Sequence, residues 1–317
     1  AGRGPASATP IAPASPEDGS SPEAAGKALG LTSESVIVLV GGARGITSWF
    51  AREAAAAAPG CRIELIGRSQ LPSEPVTADI AGAPDAAAIR AALARQGMKS
   101  PAEIGRVTRT ILARREIEST LADLRDLGAR PRYHCADAAD DEEMRRILKI
   151  VYEEGGGRID GLVYSAGVIE DHLIRDKEPA SFDRVFAAKT VGAKNTLAAV
   201  ADQGATPAFT VLYGSIAATF GSRGQVDYAA ANDALESLGA SWARRSGRRF
   251  LTVHWGPWAP AGAHPGMVTP ELARQYGHRG ISLIDPREGA RALLRELAWG
   301  DPALTSVVYT APLGDDS

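Results

Sequence analysis

The sequence predicts an α/β fold, a doubly wound parallel sheet of about seven strands with a helical insertion after the second. Three observations carry that prediction. Short β-branched runs alternate with helical stretches along most of the chain. Several of the runs are almost wholly apolar, as strands covered on both faces must be. More than sixty residues, Gly67 to Arg130, separate the second run from the third, where a crossover needs far fewer.

The elements follow in order. Ala1 to Gly30 is rich in Ala, Pro, Ser and Gly and begins without Met, which reads as a linker cut from something longer. Residues 1–33 are expected to be disordered or loosely packed, because they cannot bury enough apolar surface to offset ordering, and 34–317 to form the folded domain. Candidate strands are Val36–Val40, Arg62–Ile66, Pro131–Cys135, Gly161–Tyr164, Phe209–Tyr213, Phe250–Trp255 and Ser306–Tyr309. A helix is expected through Trp49 to Ala58 after the first strand. Within the insertion, about 70–128, Ser100-Pro101-Ala102-Glu103 is a capping-box start with Pro at the first helical position. Ile104, Val107, Ile111, then Ile117, Leu121 and Leu124 keep helical spacing with one phase shift. Amphipathicity alone makes this an extra packing helix or a partner surface. Asp140 is placed to cap a helix over Asp141–Tyr152, and another helix runs from Phe182 to Ala201.

Composition narrows the function classes. With 44% hydrophobic and 23% charged residues the chain can form a sizeable core. Its 35 basic and 38 acidic side chains are spread without blocks, net charge −3, so nucleic-acid and anionic-membrane binding have no electrostatic footprint. No apolar run is long enough to span a membrane and no secretory signal pattern opens the chain, so a cytoplasmic protein is expected. Cys61 and Cys135 lie in strand regions and read as small buried apolar groups in a reducing setting. The five histidines lack paired ligand spacing, so no metal is expected.

Directly after the first strand comes Val40-Gly41-Gly42-Ala43-Arg44-Gly45-Ile46-Thr47, opening a helix. In a strand-turn-helix setting small residues let backbone amides approach a diphosphate, although a tight turn without ligand also uses glycines. The second strand ends in Arg68 and Ser69, where a Rossmann-type fold reads the adenosine ribose. An acid there would accept from the 2′-hydroxyl, whereas Arg68, with Arg44, would pair with a 2′-phosphate and favour NADPH over NADH. Asp137 and Ala138 follow the third strand, and Asp137 can accept from an adenine amino group. Ser165, Ala166 and Gly167 follow the fourth, where small side chains let a flat cofactor lie against the backbone.

Hydride transfer to a ketone creates an alkoxide, so such a site needs a proton donor and oxyanion support. A tyrosine of ordinary pKa about 10 serves only if a nearby cation favours its charged form. Tyr228 has Asn232 one helical turn later, Ser215 thirteen residues earlier at a strand end, and Lys189 thirty-nine residues earlier on a helix.

These residues resemble the short-chain dehydrogenase/reductase superfamily, and specifically the ketoreductase domains of polyketide synthases. Most of the superfamily carries lysine four residues after the tyrosine and asparagine on the preceding helix; here the two are exchanged, as is typical of polyketide ketoreductases. The resemblance covers about Val36 to Tyr309, including Tyr213-Gly214-Ser215-Ile216-Ala217, Phe220-Gly221-Ser222-Arg223-Gly224-Gln225 and Trp255-Gly256-Pro257-Trp258. The insertion with Ala113-Arg114-Arg115-Glu116-Ile117, and Gly266-Met267-Val268, are most similar to iterative enediyne-type and polyunsaturated-fatty-acid-type synthases.

The resemblance implies NADPH-dependent reduction of a β-ketoacyl thioester, carried by an acyl carrier protein among the other domains of a larger synthase, to the β-hydroxyacyl thioester. Tyr228 would donate the proton, Ser215 bond the carbonyl oxygen, Lys189 lower the tyrosine pKa, and Asn232 order the lysine and a proton-supplying water. Pro257 and Trp258 would lie near the nicotinamide, and Asp171, Gln225 and Met267 would meet the substrate. The segment 259–284, rich in Gly and Pro, would form a lid. Two departures stand out. Thr47 replaces the usual third glycine. Ile169-Glu170-Asp171 resembles the Leu-Asp-Asp marker of ketoreductases giving the 3R alcohol, with Phe220 in place of the tryptophan of the opposite group. A nucleotide-sugar epimerase would keep lysine at the position Asn232 holds; a catalytically silent NADPH-binding structural domain is the other alternative.

Overall fold

The computed structural model describes residues 21–71, 77–260, 274, 276, 277 and 282–311. Along it the chain forms α1 (Pro22–Ala28), β1 (Val36–Val40), α2 (Gly45–Ala57), β2 (Arg62–Gly67), α3 (Ala78–Ala81), α4 (Ala86–Arg95), α5 (Pro101–Asp126), β3 (Arg130–Cys135), α6 (Asp141–Glu154) and β4 (Gly161–Tyr164). A 3₁₀ turn (Ile174–Asp176) then leads to α7 (Pro179–Asp202), β5 (Phe209–Ser215), α8 (Ala217–Phe220), α9 (Val226–Ser246), β6 (Arg249–Trp255), α10 (Pro286–Trp299) and β7 (Ser306–Tyr309).

The strands form one seven-stranded sheet, β3-β2-β1-β4-β5-β6-β7, and every neighbouring pair is parallel. Successive side chains of a strand point to opposite faces, so β1 feeds two cores. Ile37 and Leu39 pack with α2, α10 and the later half of α5, while Val36, Val38 and Val40 pack with α6, α7 and α9. That division explains why β1 is apolar throughout. A buried carboxylate sits within the sheet: Glu64 on β2, fully buried and held by Arg62 at 2.9 Å and His134 at 2.7 Å.

The insertion is built of α3, α4 and α5, and the phase shift in its long helix has a packing cause. Ser100 caps α5, its hydroxyl accepting from Glu103 N. The first half of α5 turns Ile104, Val107 and Ile111 toward a satellite core with Ile80, Ile89 and Leu93. The second half turns Ile117, Leu121 and Leu124 into the main core. One helix thus serves two cores, and its apolar stripe must rotate between them.

Two expectations need correction. The segment read as linker ends in a helix: Ser21 accepts from Ala24 N, Pro22 starts α1, and Ala25 and Gly26 are buried against the domain. A Cβ on Gly26 would lie 2.0 Å from the Ala57 carbonyl oxygen, so the glycine permits close helix packing. Cys135, expected to be buried, is exposed because it ends edge strand β3; Cys61 is buried as expected. Residues 1–20, the first part of the insertion at 72–76, and most of the expected lid, Met267 included, lie outside the described residues.

The two-core arrangement of α5 sets a test. Ile117→Ala removes a fully buried side chain from the main core and should lower the unfolding free energy by about 2 to 5 kcal/mol. Ile104→Ala, at the partly buried margin of the satellite core, should cost clearly less; urea unfolding followed by circular dichroism measures both.

Candidate active site

In a doubly wound sheet the crevice opens where the strand order reverses, outside the carboxyl ends of the strands. Here that is between β1 and β4. Gly41 continues β1 with its amide donating to Ile66 O at 2.7 Å, then turns with φ +82°. A Cβ there would sit 2.7 Å from Ser165 Oγ, so both conformation and space demand glycine. Gly42 is a packing glycine, its Cβ position 2.3 Å from the Leu39 Cβ. The turn ends at Gly45, which starts α2.

Two adjoining cavities flank this turn and share Gly41, Arg44 and Gly167. One, about 330 Å³, is lined by Ala43, Arg68, Ser69, Asp137, Ala138 and Ala166 together with Tyr133. Both arginines singled out in the sequence therefore face the same space. Asp137 Oδ1 accepts from Ala139 N at 3.0 Å, and Asp140 caps α6 by accepting from Glu143 N. The other cavity, about 370 Å³, is lined by Gly45, Ile46, Thr47, Ser165, Lys189, Tyr213, Gly214 and Tyr228. An elongated anionic dinucleotide fits this donor set: the first turn of a helix and two guanidinium groups at one end, titratable side chains at the other.

Around Tyr228 the sequence-distant residues converge. Lys189, on α7, is 4% exposed, and its Nζ lies 5.8 Å from the centre of the Tyr228 ring and donates to Tyr213 O at 2.5 Å. A Cβ on Gly167 would come within 2.9 Å of Lys189 Cε, so this glycine clears the amine's path. Burial pushes the Lys189 pKa down to about 8. Burial also raises that of the Tyr228 phenol, while hydrogen bonding by the Ser215 and Asn232 side chains pulls it down. Asn232 is fully buried; its Nδ2 donates to Tyr228 O at 2.7 Å, and its Oδ1 has no partner among the described residues. Gln225 Nε2 donates to both oxygens of Asp171, at 3.1 and 3.2 Å, and neither residue lines the two cavities.

Trp258 is not brought to the cavities. Its indole is 3% exposed, edge-on to Trp255 at 4.8 Å and against Gly289, because the aromatic residues after β6 complete the core under α10. Pro257 lines neither cavity. Its carbonyl accepts from Ile284 N at 2.8 Å, and Ala259 N donates to Ile284 O at 2.8 Å, so the two ends of the expected lid segment are tied together.

Sequence reasoning missed two features. Glu116 of α5 reaches the glycine turn, its carboxylate accepting from Gly45 N at 2.7 Å and Arg44 Nε at 2.8 Å. The signal was the Arg-Arg-Glu segment inside the phase break; Arg115 beside it donates to Ala81 O, at the end of α3, at 3.1 Å and to Ala83 O just beyond it at 2.6 Å. The second is a buried ion pair, Lys177 Nζ to Asp227 Oδ2 at 2.5 Å, with side chains 5% and 1% exposed. Asp227 Oδ1 also accepts from Tyr228 N at 2.9 Å, which fixes the start of α9. A carboxylate directly before the tyrosine was the available signal. Lys177 also donates to Glu170 O, and the Arg184 and Ser181 hydrogen bonds to Glu170 hold its carboxyl down at about 2.

A Rossmann-type sheet with a tyrosine, lysine, serine and asparagine gathered beside its glycine turn defines the short-chain dehydrogenase/reductase class. Within that class the chain belongs to the KR domain family, the ketoreductase domains of polyketide synthases, which it matches over residues 35–260. It is 33% identical over 283 residues, 86% of the chain, to one of the subunits of the polyunsaturated fatty acid synthase from a Thraustochytrium species, covering 10% of that protein. A phenolphthiocerol-synthesis type I polyketide synthase of Mycobacterium marinum is 29% identical over 191 residues, 60% of the chain and 9% of that protein. The chain thus spans about a tenth of the length of these relatives. Among solved structures, A-type ketoreductases from a modular polyketide synthase superpose with a TM-score of 0.64 at 25% identity, over 94% of this chain and 50% of theirs. An alcohol dehydrogenase from Thermococcus sibiricus, complexed with 5-hydroxy-NADP, shares the fold at TM-score 0.59 and 16% identity, over 87% of this chain and 96% of its own. Among the described residues no helix is long and apolar enough to cross a membrane.

The Lys177–Asp227 pair makes a stability prediction. Lys177→Met strands a buried carboxylate under Tyr228 and should cost about 3 to 5 kcal/mol in urea unfolding, with a double variant Lys177→Met, Asp227→Leu recovering part of the loss.

Proposed function

We propose that this domain reduces a β-ketoacyl thioester, presented by an acyl carrier protein within a larger synthase, to the β-hydroxyacyl thioester using NADPH. The reading is carried by one observation: the Tyr228 ring, the Lys189 amine and the glycine turn line a single cavity at the strand-order reversal. Arg44 and Arg68, lining the adjoining cavity, support NADPH over NADH, since two guanidinium groups suit a 2′-phosphate. The Ile169-Glu170-Asp171 segment favours the 3R alcohol, with Asp171 and Gln225 meeting the acyl chain.

When bound, the nicotinamide supplies hydride to the carbonyl carbon. Tyr228 then gives its phenolic proton to the developing alkoxide, and Ser215 donates a hydrogen bond to the same oxygen. Burial alone would make the resulting phenolate costly, which is where Lys189 acts: its ammonium stabilises the negative charge beside it. The free Oδ1 of Asn232 is an acceptor suited to a water that returns the proton to Tyr228. The arrangement needs Tyr228 protonated and Lys189 charged at the start of each cycle.

The test mixes the protein with NADPH and a β-ketoacyl thioester and follows the loss of reduced-nicotinamide absorbance. Turnover is expected, slower with NADH, and Tyr228→Phe should reduce kcat at least about a hundredfold at unchanged NADPH affinity. A chain that binds NADPH without turning over is instead a silent structural domain. The pH dependence follows from Lys189. Because its pKa is lowered to about 8, the ammonium is present below that pH and lost above it, so kcat/KM should fall on the alkaline side with a midpoint near 8. An alkaline limb that persists unchanged in Lys189→Met would assign it to another group.

A further inference from the structure

The insertion helix places a carboxylate on the cofactor turn, and nothing in the proposed reduction accounts for it. Glu116 is 10% exposed at its side chain, lines the larger cavity, and touches the turn at two adjacent residues: Oε1 accepts from Gly45 N at 2.7 Å and Oε2 from Arg44 Nε at 2.8 Å. A negative charge beside a phosphate-binding turn must either compete with the phosphates or brace the groups that bind them.

The bonding pattern separates these two roles. The first amides of a helix lack intrahelical partners, and among those of α2 it is Gly45 N that donates to Glu116. Ile46 and Thr47, the next two residues of the same first turn, also line the cavity. On Arg44 the carboxylate uses Nε alone, and the two terminal nitrogens, the fork suited to a phosphate, have no partner among the described residues. The guanidinium is 47% exposed at its side chain, so without Glu116 it would sample several rotamers. Gly45 itself, at φ +60° with open space around its Cβ position, has no side chain by which packing could hold the turn. Glu116 is in turn held from behind, since Arg115 pins α5 to α3, and Ile117 is buried in the main core.

We infer that Glu116 is a positioning residue for cofactor recognition: the insertion helix reaches across to brace the glycine turn through Gly45 and to aim Arg44 at the 2′-phosphate of NADPH. The inference rests on the cofactor reading given above. It assigns the insertion a function in selectivity for the phosphorylated dinucleotide, acting through Arg44 rather than by contact with the ligand.

The experiment measures equilibrium binding of NADPH, NADH and 2′,5′-ADP to the purified protein by calorimetry, for wild type, Glu116→Ala, Glu116→Gln and Arg44→Ala. Circular dichroism and thermal melting establish that each variant is folded. Glu116→Ala should weaken NADPH and 2′,5′-ADP about tenfold, the scale of leaving one long side chain unordered before binding. NADH should weaken only about twofold to threefold, because it needs the turn but not the arginine. Glu116→Gln keeps an acceptor for Gly45 N but loses the charged pairing with Arg44, so NADH binding should recover while NADPH stays weak. A merely structural role would move all three ligands together. In the Arg44→Ala background, adding Glu116→Gln should have no further effect on the ratio of NADPH to NADH affinity. Unchanged or tighter NADPH binding by Glu116→Ala overturns the inference, the tighter result marking Glu116 as a competitor. If the wild type binds none of the three ligands, the cofactor reading itself fails, which the variants alone would not produce.

Discussion

Because all seven strands are parallel, their carboxyl ends share one edge, and the loops leaving them meet there whatever their distance in sequence. The reversal of strand order between β1 and β4 keeps the crossovers from covering that meeting point. The rest of the site depends on this constraint. The turn after β1, Arg68 and Ser69 after β2, Asp137 after β3, Gly167 after β4 and Tyr213 and Gly214 near the end of β5 all arrive at one crevice. The helices α7 and α9 pack against each other on one face and deliver Lys189 and Tyr228 to its far end.

The insertion extends the same logic. A helix of 26 residues between β2 and β3 is longer than any crossover requires, and its two halves bury into separate cores. Between the halves lies a short stretch whose side chains serve neither core. Arg115 and Glu116 occupy that stretch, one binding the carbonyls that close α3 and the other the amide that opens α2. A change of packing partner along a helix frees polar side chains for such contacts, since residues at the switch need not be apolar.

Much of this was legible in the sequence alone. Each expected strand is present, the clearest being the wholly apolar run of β1, and the edges moved by no more than two residues, as with Ser215 at the end of β5. The glycine turn and the Tyr228 neighbourhood were readable since their chemistry fixes residue types at short spacing. Three things were hidden. The helix Pro22–Ala28 lay in an Ala-rich stretch whose burial depends on a neighbour's surface rather than on its own pattern. Trp258 packs inward because of what α10 offers, which no local spacing encodes. Glu116 reaches residues 71 and 72 positions earlier in sequence, and a contact of that range is set by tertiary packing.

Two buried lysines show how the same residue type is put to different uses. Lys177 meets the carboxylate of Asp227 at 2.5 Å, and its charge is answered at once, by a group that also holds Tyr228 N. Such a pair fixes geometry and has little left to give to a reacting charge. Lys189 is buried as deeply, yet its hydrogen-bond partner is a backbone carbonyl, and burial lowers its pKa to about 8. An ammonium held without a counter-charge is poorly stabilised until a negative charge appears nearby. The phenol of Tyr228 is raised by burial in the mirror sense, its charged form disfavoured until a cation answers it. In the proposed reduction each group, penalised for ionising alone, would relieve the other, tying ionisation of the tyrosine to retention of the lysine charge. A carboxylate placed against Lys189 would dissolve that coupling, and the fold sets the carboxylate of Asp227 against Lys177 instead.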